Sequence, residues 1–120
     1  MKKTLLICDD EEGIRESLKL IFEKEYELLF ATNGFEAIDR VKKNAIDIVI
    51  MDIKMPRMDG IETMRKLKEI KPDLKILVTS GYKSVETAKE AVSAGASDYM
   101  VKPFDRKEIA SAIKRLVSVP

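Results

Sequence analysis

The chain has 120 residues, 45% of them hydrophobic, which suits a single domain with an ordinary buried core. Its 22 basic residues nearly balance 21 acidic ones for a net charge of +1, which argues against direct nucleic-acid binding through a basic face. With one cysteine and no histidine, the chain has no internal disulfide, no Ser-His triad, no imidazole-held zinc and no phosphohistidine of its own. Any nucleophile is therefore a carboxylate, hydroxyl, thiol or amine.

The basic start Met1-Lys2-Lys3 leads into an apolar run over residues 4–8, which reads as a first strand covered on both faces. Asp9 and Asp10 stop that run well short of a signal-peptide core, and no apolar stretch reaches membrane-span length. A protein free of the membrane is expected, and the lone cysteine points to a reducing, cytoplasmic setting. Ile14, Leu18, Ile21 and Phe22 then recur at helical spacing. Residues 26–31 form a weaker second strand, expected at an edge. Asn33-Gly34 marks a turn before a short helix carrying Ala37, Ile38 and Val41.

Residues 46–51 read as a central third strand because they are so apolar. Ile61, Met64, Leu67 and Ile70 line a third helix ending before Pro72. A fourth strand over 76–78 is followed by a helix with a thin apolar face of Val85, Ala88, Ala91 and Val92, closing at Gly95. A short fifth strand over 98–101 stops at Pro103, and Ile109, Ile113, Leu116 and Val117 build the last helix. Five βα units in succession predict a single doubly wound α/β domain over residues 1–120, with right-handed crossovers and helices on both faces.

In such sheets ligands bind beyond the carboxyl ends of the strands. Those ends carry Asp9-Asp10, Asp52, Thr79-Ser80 and Lys102-Pro103. Taken singly, most have a structural explanation as helix caps, turn residues or a solvated lysine. Asp52 is different, because it closes the apolar run of residues 48–51 and so is expected to be partly buried. Clustered carboxylates repel one another unless a cation sits among them. An all-oxygen donor set without His or Cys favours Mg²⁺ or a similar hard ion. One carboxylate can then approach a phosphoryl group as nucleophile, with Lys102 offsetting charge on its oxygens and Ser80 bonding the transferred group. Cys8 and the methionines Met51, Met55, Met58 and Met64 are read as packing residues.

The residues that converge in this way are the pair Asp9-Asp10, Asp52, the loop Met55-Pro56-Arg57-Met58-Asp59-Gly60, Ser80 and Lys102-Pro103-Phe104. In that order and at strand ends, they resemble the receiver domain of bacterial two-component response regulators, over the whole chain. The resemblance implies a flavodoxin-like (βα)5 fold with a five-stranded parallel sheet in order 2-1-3-4-5. It implies that Asp52 is the phosphoacceptor and that Mg²⁺ (or Mn²⁺) is held by Asp10, Asp52 and the Lys54 backbone carbonyl, with Asp9 acting through a metal-bound water. Lys102 would pair with the phosphoryl group, and the Lys102-Pro103 bond would be cis, a minority state even before proline.

By the same resemblance Ser80, rather than its neighbour Thr79, is the switch hydroxyl, and Tyr99 is the aromatic residue that moves with it, or else simply packs. Lys54 and Tyr82 stand at positions that tune phosphoryl lifetime. Neither is an acid or amide, so slow self-dephosphorylation is expected. The implied partners are a sensor histidine kinase or a histidine phosphotransfer protein upstream and a protein target downstream, with the chain a monomer or a phosphorylation-promoted dimer. It would be a phosphorelay or two-component switch rather than an enzyme.

Two alternatives keep the same fold reading: a receiver fragment of a longer transcriptional regulator, and a phosphate-independent interaction module. A haloacid-dehalogenase-type phosphatase would need Asp-x-Asp-x-Thr/Ser at the nucleophile, where this chain has Asp52-Ile53-Lys54-Met55. An FMN carrier would need a phosphate loop after the first strand, where Asp9-Asp10-Glu11-Glu12 would repel a phosphate.

Overall fold

The computed structural model describes residues 2–81 and 85–119. Strands and helices alternate: β1 (Lys3–Cys8), α1 (Glu12–Phe22), β2 (Tyr26–Ala31), α2 (Gly34–Lys43), β3 (Ile48–Asp52), α3 (Gly60–Ile70), β4 (Lys75–Ser80), α4 (Val85–Ser93), β5 (Asp98–Val101) and α5 (Arg106–Ser118). The strands form one sheet in the order β2-β1-β3-β4-β5, and every pairing is parallel. The expected doubly wound fold is therefore present, with β2 at an edge.

The two-residue period of the strands divides the core into two layers. Leu6, Cys8, Val49, Met51, Ile76 and Val78 pack with Ala37 and Val41 of α2, Met64 and Leu67 of α3, and Ala91 of α4. Their sequence neighbours Leu5, Ile7, Ile48, Ile50 and Leu77 face the other way, onto Leu18 and Phe22 of α1 and Ile109, Ile113 and Leu116 of α5. Central strands buried on both faces must be apolar at every position, which is why β1 and β3 read as unbroken runs rather than alternating ones.

Side-chain caps set where three helices begin. Asn33 accepts the Glu36 N–H at 2.9 Å, Asp59 accepts the Glu62 N–H at 2.8 Å, and Asp105 accepts those of Lys107 and Glu108 at 3.1 and 3.2 Å. Each cap satisfies amides that have no partner within their helix.

Three expectations need correction. The third strand begins at Ile48, not at residue 46; at Asp47 the Thr4 N–H is taken by the side chain at 2.8 Å rather than by a backbone carbonyl, while the Asp47 N–H still donates to Thr4 O at 3.0 Å. The face expected for α4 holds only in part: Ala91 is buried and Ala88 half-buried, but Val85 and Val92 are 71% and 64% exposed, and Ala94 turns inward instead. Val85 and Val92 lie roughly 100° or more around the helix axis from Ala91, so with Ala91 and Ala94 facing the sheet the two valines are rotated away from it. Ile70, in the last turn of α3, is likewise exposed rather than core.

Candidate acidic phosphoacceptor site

Register determines what meets at the carboxyl edge of the sheet. Cys8 lies opposite Met51, Asp52 opposite Thr79, and Ser80 opposite Val101. Asp9, Asp52, Ser80 and Lys102, each at or just past a strand end, thereby come to one rim. The carboxylates of Asp9, Asp10 and Asp52 each offer a ligand oxygen, and these oxygens lie within 4.8 Å of one another. Asp9 and Asp52 are buried, whereas Asp10 is exposed and opens the cluster to solvent.

Asp9 is held on every side. Its N–H donates to Ala31 O at 3.1 Å, and its Oδ1 accepts the Glu11 N–H at 2.9 Å, where α1 begins without a side-chain cap of its own. Its Oδ2 accepts from Lys102 Nζ at 2.9 Å, and the same ammonium lies 3.2 Å from Asp52 Oδ1. Arg15 Nη1 donates to the Asp9 carbonyl oxygen at 2.9 Å. Neither helical period nor strand-end position singles out Arg15 in the sequence. Its only signal there is a guanidinium one turn into the helix that follows the acidic pair.

Burial and neighbouring charge together shift Asp52 and Lys102. Burial, then the neighbouring Asp9 charge, push the Asp52 carboxyl up to about 6 against the opposing pull of Lys102. Burial alone would lower the Lys102 ammonium, but its bond to Asp9 and the charges of Asp52 and Asp9 outweigh that and raise it. Three carboxylates face one ammonium, so the cluster retains capacity for a cation. Its donors are all oxygens, two buried and one open, and they suit a hard divalent ion that keeps part of its water shell.

The loop after β3 is built to bring the acceptor strand and α3 into contact. A Cβ on Gly60 would collide with the Asp52 carbonyl oxygen and crowd the Ile53 Cα, so only glycine allows this approach. The Gly60 N–H also donates to Ile53 O at 2.7 Å. Within the loop, Arg57 has φ of 71° and is spanned by a bond from the Met58 N–H to Pro56 O at 2.8 Å, a γ-turn of the uncommon left-handed kind. Lys54, in the same loop, is exposed.

Thr79 and Ser80 are both buried. Ile76 and Val78 face the α2–α4 layer, and Ser80 continues that alternation, whereas Thr79 takes the opposite parity. Tyr99 packs against the same α2–α4 layer from the neighbouring strand. The Lys102-Pro103 bond is cis, as the resemblance implied. Cys8 is fully buried, with burial pushing its thiol strongly up, and Met51, Met55, Met58 and Met64 are core residues, as expected. Tyr82 lies outside the described residues.

Comparison with known proteins agrees with this geometry. The family described as the response regulator receiver domain matches residues 5–114. Sporulation initiation phosphotransferase F of Bacillus subtilis (strain 168) is 38% identical, the match covering 96% of this chain and 94% of that protein. The transcriptional regulatory protein ZraR of Klebsiella oxytoca is 42% identical over 84% of this chain, which spans 23% of that longer protein. Among solved structures, a CheX-CheY-BeF3-Mg+2 complex from Borrelia burgdorferi superposes with a TM-score of 0.92 at 30% identity, covering 98% of this chain and 90% of that one. With the family match running through both the acidic cluster and the Lys102 end of the sheet, the chain belongs to the response regulator receiver domains of two-component signalling.

Proposed function

We propose that Asp52 is the residue that takes the phosphoryl group, from a phosphohistidine on a sensor histidine kinase or a histidine phosphotransfer protein. In this step an Asp52 carboxylate oxygen forms the new bond to phosphorus while the P–N bond breaks, its electron pair leaving with the imidazole. A carboxylate needs no general base for this. The observation that carries the reading is the approach of the Asp9, Asp10 and Asp52 ligand oxygens to within 4.8 Å, with Lys102 Nζ lying against two of them.

Asp10, Asp52 and the Lys54 backbone carbonyl would hold Mg²⁺ or Mn²⁺, with Asp9 reaching it through water. The donor chemistry fits, and the Borrelia CheY structure named above carries Mg²⁺. When bound, the ion supplies positive charge to the phosphoryl oxygens. Lys102 then moves its ammonium from the carboxylates to the transferred group, and Ser80 donates its hydroxyl to it.

Ser80 and Tyr99 belong to the same side of the sheet, so movement of one opens or fills space for the other. That change alters the surface of α4, β5 and α5 for a downstream protein target, a local charge event biasing a two-state element. The working unit is the single domain of residues 1–120, acting in the cytoplasm as a monomer or as a dimer promoted by phosphorylation. Lys54 offers no acid or amide to orient an attacking water, and the phosphoryl group is lost slowly. Lys54→Asn is expected to hasten that loss in a phosphate-release assay, and an unchanged rate would remove Lys54 from this role.

The deciding experiment is labelling by a small-molecule phosphodonor with and without Mg²⁺. Wild type should label only with the cation, and Asp52→Ala should not label at all. Retained labelling of Asp52→Ala would sink the assignment.

A further inference from the structure

We propose that Arg15 is a positioning residue for the acidic pair, holding the peptide plane between Asp9 and Asp10 so that both carboxylates face the cation site. The inference rests on the reading of Asp9, Asp10 and Asp52 as that site.

The oxygen that accepts from Arg15 Nη1 at 2.9 Å is the Asp9 carbonyl, and it belongs to the peptide that joins Asp9 to Asp10. On the amino side, the Asp9 N–H is tied to Ala31 O of β2 at 3.1 Å. On the carboxyl side, Glu11 returns its N–H to Asp9 Oδ1 at 2.9 Å. The intervening plane is the piece of backbone whose rotation would swing Asp10. Asp10 is exposed, so packing does not aim its carboxylate, and the backbone must do so. A charged donor on the carbonyl oxygen is the strongest restraint available to such a plane.

Arg15 is itself held in place. It stands in the first turns of α1, its N–H bonded to Glu11 O at 3.1 Å, and it is partly buried. Glu36 of α2 feels the charge of Arg15. That carboxyl is held below its ordinary range first by the Thr32 N–H and hydroxyl, with the charges of Arg40 and Arg15 adding to the effect. The guanidinium is thus directed at the peptide between the two acids, with the Glu36 carboxylate near enough for the two charges to attract. Groups of this outer kind, which orient ligands without touching the metal, commonly set cation affinity.

The test uses the whole chain, with isothermal titration of MgCl2 into wild type, Arg15→Met and Arg15→Lys, and thermal melts without cation. Arg15→Met should bind Mg²⁺ about tenfold more weakly. Arg15→Lys, which keeps a cationic donor near the same oxygen, should recover part of the loss. In labelling by a small phosphodonor, the half-saturating Mg²⁺ concentration should rise with the maximal rate at saturating Mg²⁺ within about twofold of wild type, the split expected of an outer-shell residue. Equal Mg²⁺ affinity in wild type and Arg15→Met would overturn the role of Arg15 alone. So would a loss matched by unfolding in the cation-free melts, since loosening of α1 would then explain it. Wild type that takes up no Mg²⁺ would overturn the cation-site reading and the Arg15 role together.

Discussion

Lys102 Nζ lies 2.9 Å from Asp9 Oδ2, joining the loop after the last strand to the end of the first. The lysine side chain is 15% exposed and the aspartate side chain 2%, so the pair is shielded from the solvent screening that makes surface ion pairs nearly worthless. Because the same ammonium also faces Asp52, it is the charge that lets two buried carboxylates coexist.

Removing that charge should cost more as the pH rises. Lys102→Met leaves Asp9 and Asp52 facing each other, and the loss is expected to be about 1–3 kcal/mol at pH 8. Near pH 5 a proton on Asp52 relieves the repulsion, so the deficit should shrink. Urea unfolding of both proteins at the two pH values measures it, and a pH-independent deficit would contradict this account.

Asp52→Asn should stabilise the cation-free protein. A carboxyl raised from 3.8 to about 6 binds its proton more tightly in the folded than in the unfolded chain. Its contribution to stability is fully present below 3.8 and is lost as pH rises through about 6. Above that window the ionised group costs on the order of 1–3 kcal/mol. The variant should therefore exceed wild type by that margin in urea melts at pH 8, with the difference closing toward pH 4.

Asp10 is exposed, and its role is expected to show only with a cation present. Asp10→Asn should leave cation-free stability within about 0.5 kcal/mol of wild type. Added Mg²⁺ should raise the melting temperature of wild type and a chelator should reverse it, while Asp10→Asn responds only at higher cation concentrations. Equal cation responses in the two proteins would remove Asp10 from the site.

Two glycines should respond in opposite directions. A Cβ on Gly60 would strike the Asp52 backbone, which cannot yield as a flexible side chain could, and Gly60→Ala is expected to cost about 2–4 kcal/mol. Gly13 sits in α1 with nothing within 4 Å of its Cβ direction, and Gly13→Ala should gain about 0.5–1 kcal/mol. Denaturant midpoints of the two variants provide the comparison.

Much of this protein was legible in one dimension. Unbroken apolar runs such as residues 48–51 identify strands covered on both faces, and turn residues such as Asn33-Gly34 separate them from helices. Because parallel sheets gather their ligands at the carboxyl ends of strands, the order of residues alone puts Asp9, Asp10, Asp52 and Lys102 on one rim. Those inferences rest on local period and on a topological rule, and both are carried by the order of residues.

The tertiary structure decided what depends on rotation and on contact between distant segments. Which side of α4 faces the sheet is a matter of angle, so Val85 and Val92 turned out exposed although their spacing is compatible with a core face. That Lys102 neutralises Asp9 as well as Asp52, that Gly60 must seat against the Asp52 carbonyl, and that Arg15 grips the Asp9–Asp10 peptide all depend on approaches between atoms from separate elements. A sequence records which groups are available; the packing of five βα units determines which of them lie close enough for charge and steric exclusion to act.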